Sequence, residues 1–242
     1  MRAVEIPTIR ERLRSGESIL TEAMAKSVRF FPAKTVILEE GNRTTHIFRV
    51  ISGRATRRRT LSDGRSQLMS ILLPGDIVGV QSLFEGALTD TVQAVTDIAA
   101  EAVSHSEVHR LASQETNVAI WLISYASHEH QRTENWLRVV TTGTAMEKIA
   151  FSLVDLWRRL PRPDSSPLRL PLSQRDLAEH VGLTLPHVCR TIAAMREAGA
   201  IEIHYGSIEI LDIKPLMESV KGKFDLFGGN AGNQTFRSVE TI

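Results

Sequence analysis

Cys189 is the only cysteine in 242 residues, so no disulfide can close within one chain. One thiolate is also too few for a four-cysteine iron–sulfur cluster or a cysteine-built structural zinc site. Long apolar runs are missing as well. Apolar runs such as those at 71–73 and 118–123 fall far short of the roughly 20 residues that a membrane-spanning helix requires. Residues 1–14 carry charges throughout, where a secretory signal has an apolar stretch. A cytoplasmic protein without a membrane partner is expected. Nor is there an excess of one charge: the formal net charge is +1, so any attraction to a polyanion must come from local clusters of arginine. The chain also lacks a Walker motif, a nucleophile elbow, an HExxH pair and a clear paired-carboxylate site, which makes an enzyme the weakest reading.

What is there is a globular composition, with 42% apolar and 24% charged residues, in a chain long enough for two domains with a core each. Residues 10–26 hold Leu13, Ile19, Leu20, Ala23 and Met24 at helical spacings, predicting one or two short N-terminal helices. Between about residues 30 and 108 the pattern changes to short strands, at 35–38, 46–51, 54–61, 67–73, 77–78 and 92–95. Turn signals at Glu40-Gly41-Asn42, Ser52-Gly53, Asp63-Gly64 and Pro74-Gly75-Asp76 separate them. Asp63-Gly64 predicts a type I′ hairpin, since both residues tolerate positive φ. Many short strands at this spacing predict an antiparallel sandwich or jelly roll.

From about residue 115 a long helical periodicity follows, with Val118, Leu122, Tyr125, Trp136 and Val139 near one stripe that Glu129 and Arg132 interrupt. Such a stripe beyond a β domain commonly pairs with a second subunit. Thr141-Thr142-Gly143-Thr144 breaks the pattern as a candidate hinge, and residues 146–160 form a further amphipathic segment. Residues 162–171, with Pro163, Pro167 and Pro171 around Ser165-Ser166, read as a linker. The tail from 223, with Gly228-Gly229-Asn230 and Gly232-Asn233, reads as disordered.

Residues 172–203 carry the functional signal. Ser173 is placed to cap a helix whose apolar positions are Leu177, Ala178 and Val181, with Gly182 as its stop. Leu183-Thr184 leads into a second helix. There Thr184 suits the N-cap, Pro186 falls in the first turn where its missing amide proton is harmless, and Val188, Ile192 and Met195 face inward. His187, Arg190 and Arg196 occupy the opposite face. A short helix, a glycine-containing turn and a second helix with polar residues near its start make the helix-turn-helix that inserts a helix N-terminus into the DNA major groove. After Gly199, Ile201-Glu202-Ile203 and Ile208-Glu209-Ile210 alternate about His204-Tyr205-Gly206 as a two-stranded wing would. An ordinary helical hairpin packed on a small sheet is the competing reading of this pattern.

Further motifs fall in a fixed order over residues 20–220: Glu40-Gly41, Val50-Ile51-Ser52-Gly53, Leu61-Ser62-Asp63-Gly64-Arg65, Leu73-Pro74-Gly75-Asp76-Ile77-Val78-Gly79 and Leu83-Phe84-Glu85. After a long helix comes Leu172-Ser173-Gln174-Arg175-Asp176-Leu177-Ala178. In this order the chain resembles the Crp/Fnr superfamily of bacterial transcription regulators. The resemblance implies an α+β chain with an N-terminal antiparallel β-roll, a jelly roll like that of cyclic-nucleotide-binding domains, over residues 1–113. It implies a long dimerisation helix over 114–142 and a C-terminal winged helix-turn-helix over 143–222, followed by the tail 223–242. A homodimer that recognises a near-palindrome in double-stranded DNA and works with RNA polymerase is implied too.

By the same match Arg190 is the recognition-helix arginine, whose planar fork can donate two hydrogen bonds to guanine O6 and N7. Pro186 and His187 are the further candidate base contacts. Many members carry a glutamate or arginine before that arginine; this chain has Leu185 and Pro186, so the bases read must differ. Ser173, Arg175 and Thr184 are assigned to phosphates, with helix capping by Ser173 an equal or concurrent role.

The resemblance thins at the effector site, for which Gly79, Val80, Gln81, Asp90 and Thr91 are the candidate residues. Cyclic-nucleotide binders of the family hold the ribose with a glutamate soon after the Gly79-like glycine, and the cyclic phosphate with an arginine followed by serine or threonine. Val80-Gln81 and Leu88-Thr89-Asp90-Thr91 stand in those places, and an aspartate repels phosphate. Tight binding of cyclic AMP is therefore not expected. The small-molecule or redox effector is unidentified, and DNA binding without one stays open.

Cys189, beside Arg190, is a candidate redox switch, because oxidation would add bulk and polarity near DNA. The simpler reading is a small residue filling its position. The run Arg54, Arg57, Arg58 and Arg59 reads as a strand face with a solvated charged edge rather than an anion site. His128 and His130, two apart on a helix, point to different faces and cannot chelate as an i, i+4 pair could. No metal site or cofactor is identified, and haem ligation through some histidine stays open. Trp121, Trp136 and Trp157 suit core or dimer-seam positions. The alternative function is a nucleotide-sensing regulatory module that acts on a protein partner and lacks salt-dependent DNA affinity.

Overall fold

The computed structural model describes residues 7–64, 66–84, 86–160, 168–170 and 172–222, so residues 162–167 and 171 of the expected linker and the tail from 223 lie outside the described residues. The described residues fall into two compact units: residues up to 60 with 71–130, and 61–70 with those from 131 onward. In the first unit Thr8 opens helix α1 (Ile9–Ala25). Its hydroxyl accepts from the Glu11 amide while the Glu11 carboxylate accepts from the Thr8 amide, a capping box that satisfies two otherwise orphan donors. One helix thus stands where one or two were expected. Gly16 allows the chain to pass so close to Asn117 that a Cβ would come within 2.1 Å of its carbonyl oxygen.

Eight strands follow, β1 (Val28–Phe31), β2 (Val36–Leu38), β3 (His46–Ser52), β4 (Ala55–Thr60), β5 (Ser66–Leu72), β6 (Ile77–Val78), β7 (Thr91–Ala94) and β8 (Ile98–Ser104). They form two four-stranded sheets with antiparallel pairings, in the orders β1-β8-β3-β6 and β2-β7-β4-β5. Alternation along each strand builds two cores. Phe48 and Val50 of β3 meet Leu38, Ala55, Val92, Ala94 and Ile98 between the sheets, whereas Ile47 turns outward to Leu20, Met24, Val108 and Trp121 on the helices. This is the antiparallel β-roll that the turn-punctuated pattern predicts. The hairpin after β4, however, is not a type I′ turn. The Gly64 amide bonds Leu61 O at 2.9 Å, Gly64 has φ 83°, and the only non-glycine residue with positive φ among those described is Lys34. A type I′ turn needs positive φ at both central residues; here the chain reverses over 61–64 with glycine last.

Helices α2 (His105–Gln114), α3 (Thr116–Thr142) and α4 (Ala145–Arg159) come next, with Thr144 and Glu147 forming a second capping box where the hinge is expected. The α3 stripe expected to meet a second subunit packs within its own chain. Val118 and Val139 are buried, the Tyr125 hydroxyl donates to Ile77 O at 3.0 Å, and the Trp136 ring lies 4.4 Å from that of His180. Ile123 and Leu137 are the large apolar residues that α3 leaves exposed.

In the second unit, Ile149, Ala150, Leu153, Val154 and Leu156 of α4 form the buried face. Around it stand β9 (Leu168–Leu170), α5 (Gln174–Val181), α6 (Leu185–Glu197), β10 (Ile201–His204), β11 (Ser207–Ile210) and α7 (Lys214–Val220). Residues 168–170 are not linker. They form the third strand of the sheet β10-β11-β9, with Leu170 buried opposite Ile208, so two leucines alternating about Arg169 outweigh the prolines around them. No described helix is long and apolar enough to cross a membrane.

Candidate nucleic-acid interface

The helix pair α5 and α6 is built from local rules. The Ser173 hydroxyl accepts from the Asp176 amide at 3.1 Å and donates to Asp176 Oδ2 at 2.7 Å, so the capping role expected of it is present. Leu177, Ala178 and Val181 are buried, and Gly182 ends α5 in the left-handed region at φ 68°, where a side chain would be strained. Thr184 stands at the N-cap of α6 but its side chain makes no capping bond; Pro186 sits in the first turn, and Val188, Ile192 and Met195 are buried. The opposite face of α6 is solvent-facing, with Thr184, Leu185, Pro186, His187, Cys189 and Arg190 all exposed.

Among residues 184–190, at the start of this face, Arg190 is the one formally charged side chain. The first turn of α6 carries no acidic side chain, and its free amides and dipole favour an anion. Among the described residues no carboxylate pairs with Arg190 or with the exposed Arg175. Arg196, by contrast, is tied to Glu202 at 3.0 Å. The Glu202 carboxyl is held below the ordinary carboxylate range, chiefly by the Ile203 amide and then by Arg196. Beyond β10 the chain turns at Gly206 (φ 69°), leaving Tyr205 fully exposed at the wing tip. Glu209 at the wing base accepts from His204 Nε2 at 2.7 Å and lies 3.6 Å from Arg169. Ser173 and Gln174 at the start of α5 share a cleft with His204 and Ser207 of the wing. Sequence reasoning misses Gln174 and Tyr205. Gln174 Oε1 accepts from the exposed Cys189 thiol at 2.9 Å, an interaction between residues 15 apart that no local pattern announces.

The effector candidates lie apart from this surface in the chain. Gly79, at φ 86°, opens a short 3-10 turn over Val80–Leu83; Val80 packs against the helical core and Gln81 is exposed. Thr91 Oγ1 accepts from the Glu40 amide at 3.1 Å. Asp90 is buried and accepts from Arg59 Nε at 2.8 Å, with Arg57 Nε at 3.8 Å. Among the described residues no hydrogen bond or ion pair joins Gly79, Val80 or Gln81 to Asp90 or Thr91. These interactions correct the reading of the arginine run as a solvated edge. β4 lies between β7 and β5, so it is not an edge strand, and two of its arginines face Asp90, Arg59 hydrogen-bonded to it and Arg57 within ion-pair distance. Burial also pushes the pKa of Arg54 down. Among the described residues no cluster of three or more His, Cys, Asp and Glu could hold a metal ion.

Residues 28–115 match the family described as cyclic nucleotide-binding domain, and residues 147–219 match the Crp-like helix-turn-helix domain. The nitrogen fixation regulation protein FixK of Rhizobium meliloti is 31% identical over 172 residues, which is 69% of this chain and 74% of that protein. The transcriptional activator protein FnrL of Cereibacter sphaeroides is 28% identical over 194 residues, 78% of this chain and 77% of that one. Among solved structures, FixK2 from Bradyrhizobium japonicum superposes with a TM-score of 0.72 at 25% identity, covering 79% of this chain and 96% of that chain.

Proposed function

Because the chain belongs to the Crp/Fnr family of transcription regulators, which are not enzymes, we propose that it binds a near-palindromic promoter site as a homodimer and acts there with RNA polymerase. The observation that carries this reading is the exposed, carboxylate-free start of α6. Arg190 takes the base-reading role, with Pro186 and His187 as neighbouring contacts to base edges. Ser173, Arg175 and Thr184 take phosphates, Ser173 in addition to its cap and Thr184 with a hydroxyl that its own helix leaves unused. Cyclic AMP is not the expected effector.

The dimer seam is assigned to the outer side of α3. Ile123, Ala126, His130, Thr133 and Leu137 are exposed there at alternating steps of three and four, the spacing of a coiled-coil seam. Ile123→Glu or Leu137→Glu is expected to convert the dimer to a monomer in light scattering. DNA affinity should fall by roughly a hundredfold or more, because binding through two linked half-sites becomes binding through one. Variants that stay dimeric would move the seam elsewhere.

Selection from random duplex DNA, with and without air oxidation, tests the reading as a whole. The expected product is an inverted repeat with half-site centres about one helical turn apart, bound with an affinity that falls steeply with salt. No enrichment, or binding indifferent to salt, would favour the module that acts on a protein partner. Enrichment that survives oxidation would leave Cys189 as a space-filling residue. Its loss in the parent chain but not in Cys189→Ser would make the thiol the switch.

A further inference from the structure

The pleat of β4 and β7 carries charge into the roll. Arg57 stands opposite Val92 and Arg58 opposite Thr91, so alternation puts Ala55, Arg57 and Arg59 on one face with Ala94, Val92 and Asp90. Ala55, Val92 and Ala94 belong to the core between the sheets. At its end the same inward face presents two guanidiniums and one carboxylate. Asp90 is only 7% exposed, a position where an uncompensated carboxylate would be strongly disfavoured.

The compensation is specific. Oδ1 of Asp90 accepts from Arg59 Nε at 2.8 Å, and Oδ2 lies 3.8 Å from Arg57 Nε and 3.4 Å from the Thr89 hydroxyl. Arg59 Nε is shared with Thr89 O at 3.2 Å. Arg57 Nε is itself buried and, among the described residues, has no hydrogen-bond partner, so this guanidinium is aimed at the anion without completing a bond to it. The backbone on both sides of Asp90 is pinned independently of the arginines. Leu88 exchanges two backbone bonds with Gly41 and Asn42, at 2.8 and 2.9 Å, and Thr91 Oγ1 holds the Glu40 amide.

We propose that the inward face of the β4–β7 pair is an oxyanion site whose ligand is built into the chain: the Asp90 carboxylate fills the place between Arg57 and Arg59 that a soluble carboxylate or phosphate would otherwise take. A guanidinium fork accepts either group. Two half-buried guanidiniums left without an anion would destabilise the roll, so a built-in ligand removes the need for a soluble one. Resting on the regulator reading above, it follows that the DNA-binding state does not wait for an anionic effector; the site itself stands without that reading.

Asp90→Ala takes the built-in anion away. The variant is expected to melt below the parent in chloride. At the same ionic strength, acetate or inorganic phosphate should raise its midpoint by several degrees while leaving the parent unmoved. Calorimetry with inorganic phosphate should show affinity roughly tenfold or more above that of the parent, and adding Arg59→Ala should abolish the gain. Equal responses of parent and variant, or a response that survives Arg59→Ala, would overturn the assignment. If Asp90→Ala does not fold in chloride, recovery on refolding in phosphate is the same rescue, and failure in both buffers counts against the site. Parent protein that ignores DNA while the rescue succeeds would sink the regulator reading alone. DNA binding with no rescue would sink this one alone.

Discussion

In the Arg190→Ala protein, binding to the selected DNA is expected to weaken by about 1–3 kcal/mol, roughly fivefold to 150-fold, with one base pair of each half-site no longer discriminated. Val188 and Ile192 on either side of Arg190 are buried and fix the rotation of α6, so the exposed guanidinium is presented by a helix that cannot roll. No carboxylate among the described residues competes for it. Removing it leaves guanine O6 and N7 without their two-pronged donor, whereas the melting temperature should stay at the parent value, because an exposed side chain adds nothing to the core. Arg175→Ala is the contrasting case. Without its guanidinium on a phosphate, binding weakens for all sequences alike and the salt slope falls by about one. An Arg190→Ala protein with unchanged base preference in a gel-shift series would take this residue out of base recognition.

What makes α5 and α6 legible in the sequence is that their determinants are local. Ser173 and Asp176 are three residues apart, Gly182 stops the helix by its own φ, and Pro186 fits only a first turn. The strands from β2 to β5 are legible for the same reason, since each runs into one of the turn signals at 40–42, 52–53, 63–64 and 74–76. β8 is not: it alternates Ile98, Ala100 and Ala102 against Ala99 and Glu101. Alanine has little preference for strands, and the partners of β8 in β1 and β3 are about fifty residues or more away in the chain. The direction of α3 is likewise hidden from periodicity, which finds an apolar stripe without saying whether its own chain or a second copy covers it. Arg57 and Arg59 are visibly on one strand face. Asp90, which turns that face from a charged surface into an occupied anion site, arrives 31 residues after Arg59, and only folding joins them.

Acidification between pH 7 and 4.5 is expected to destabilise the C-terminal unit through one histidine. The His180 ring on α5 stacks on Trp136 at 4.4 Å with the planes 11° apart, and its Nδ1 lies 3.4 Å from Leu68 O. Burial pushes its pKa down to about 4, outweighing the Leu68 carbonyl and Asp155, which favour the proton. In the unfolded chain a histidine takes its proton near pH 6.5. Between these values the unfolded state holds a proton that the folded state refuses. The contribution is therefore present above pH 6.5 and is lost as the pH falls through that value towards 4. Full burial would make it about 3 kcal/mol; the residue keeps some solvent exposure, so about 2 kcal/mol is expected. His180→Phe keeps an aromatic ring against Trp136 and cannot be protonated. At pH 7 it should be the less stable protein, because Leu68 O loses its partner, yet its stability should change less between pH 7 and 4.5. Urea unfolding of parent and variant at the two pH values measures that difference, and the His180 ring signal should titrate near pH 4. A parent-sized acid loss in His180→Phe, or a ring titrating above pH 6, would show that burial does not keep this histidine neutral.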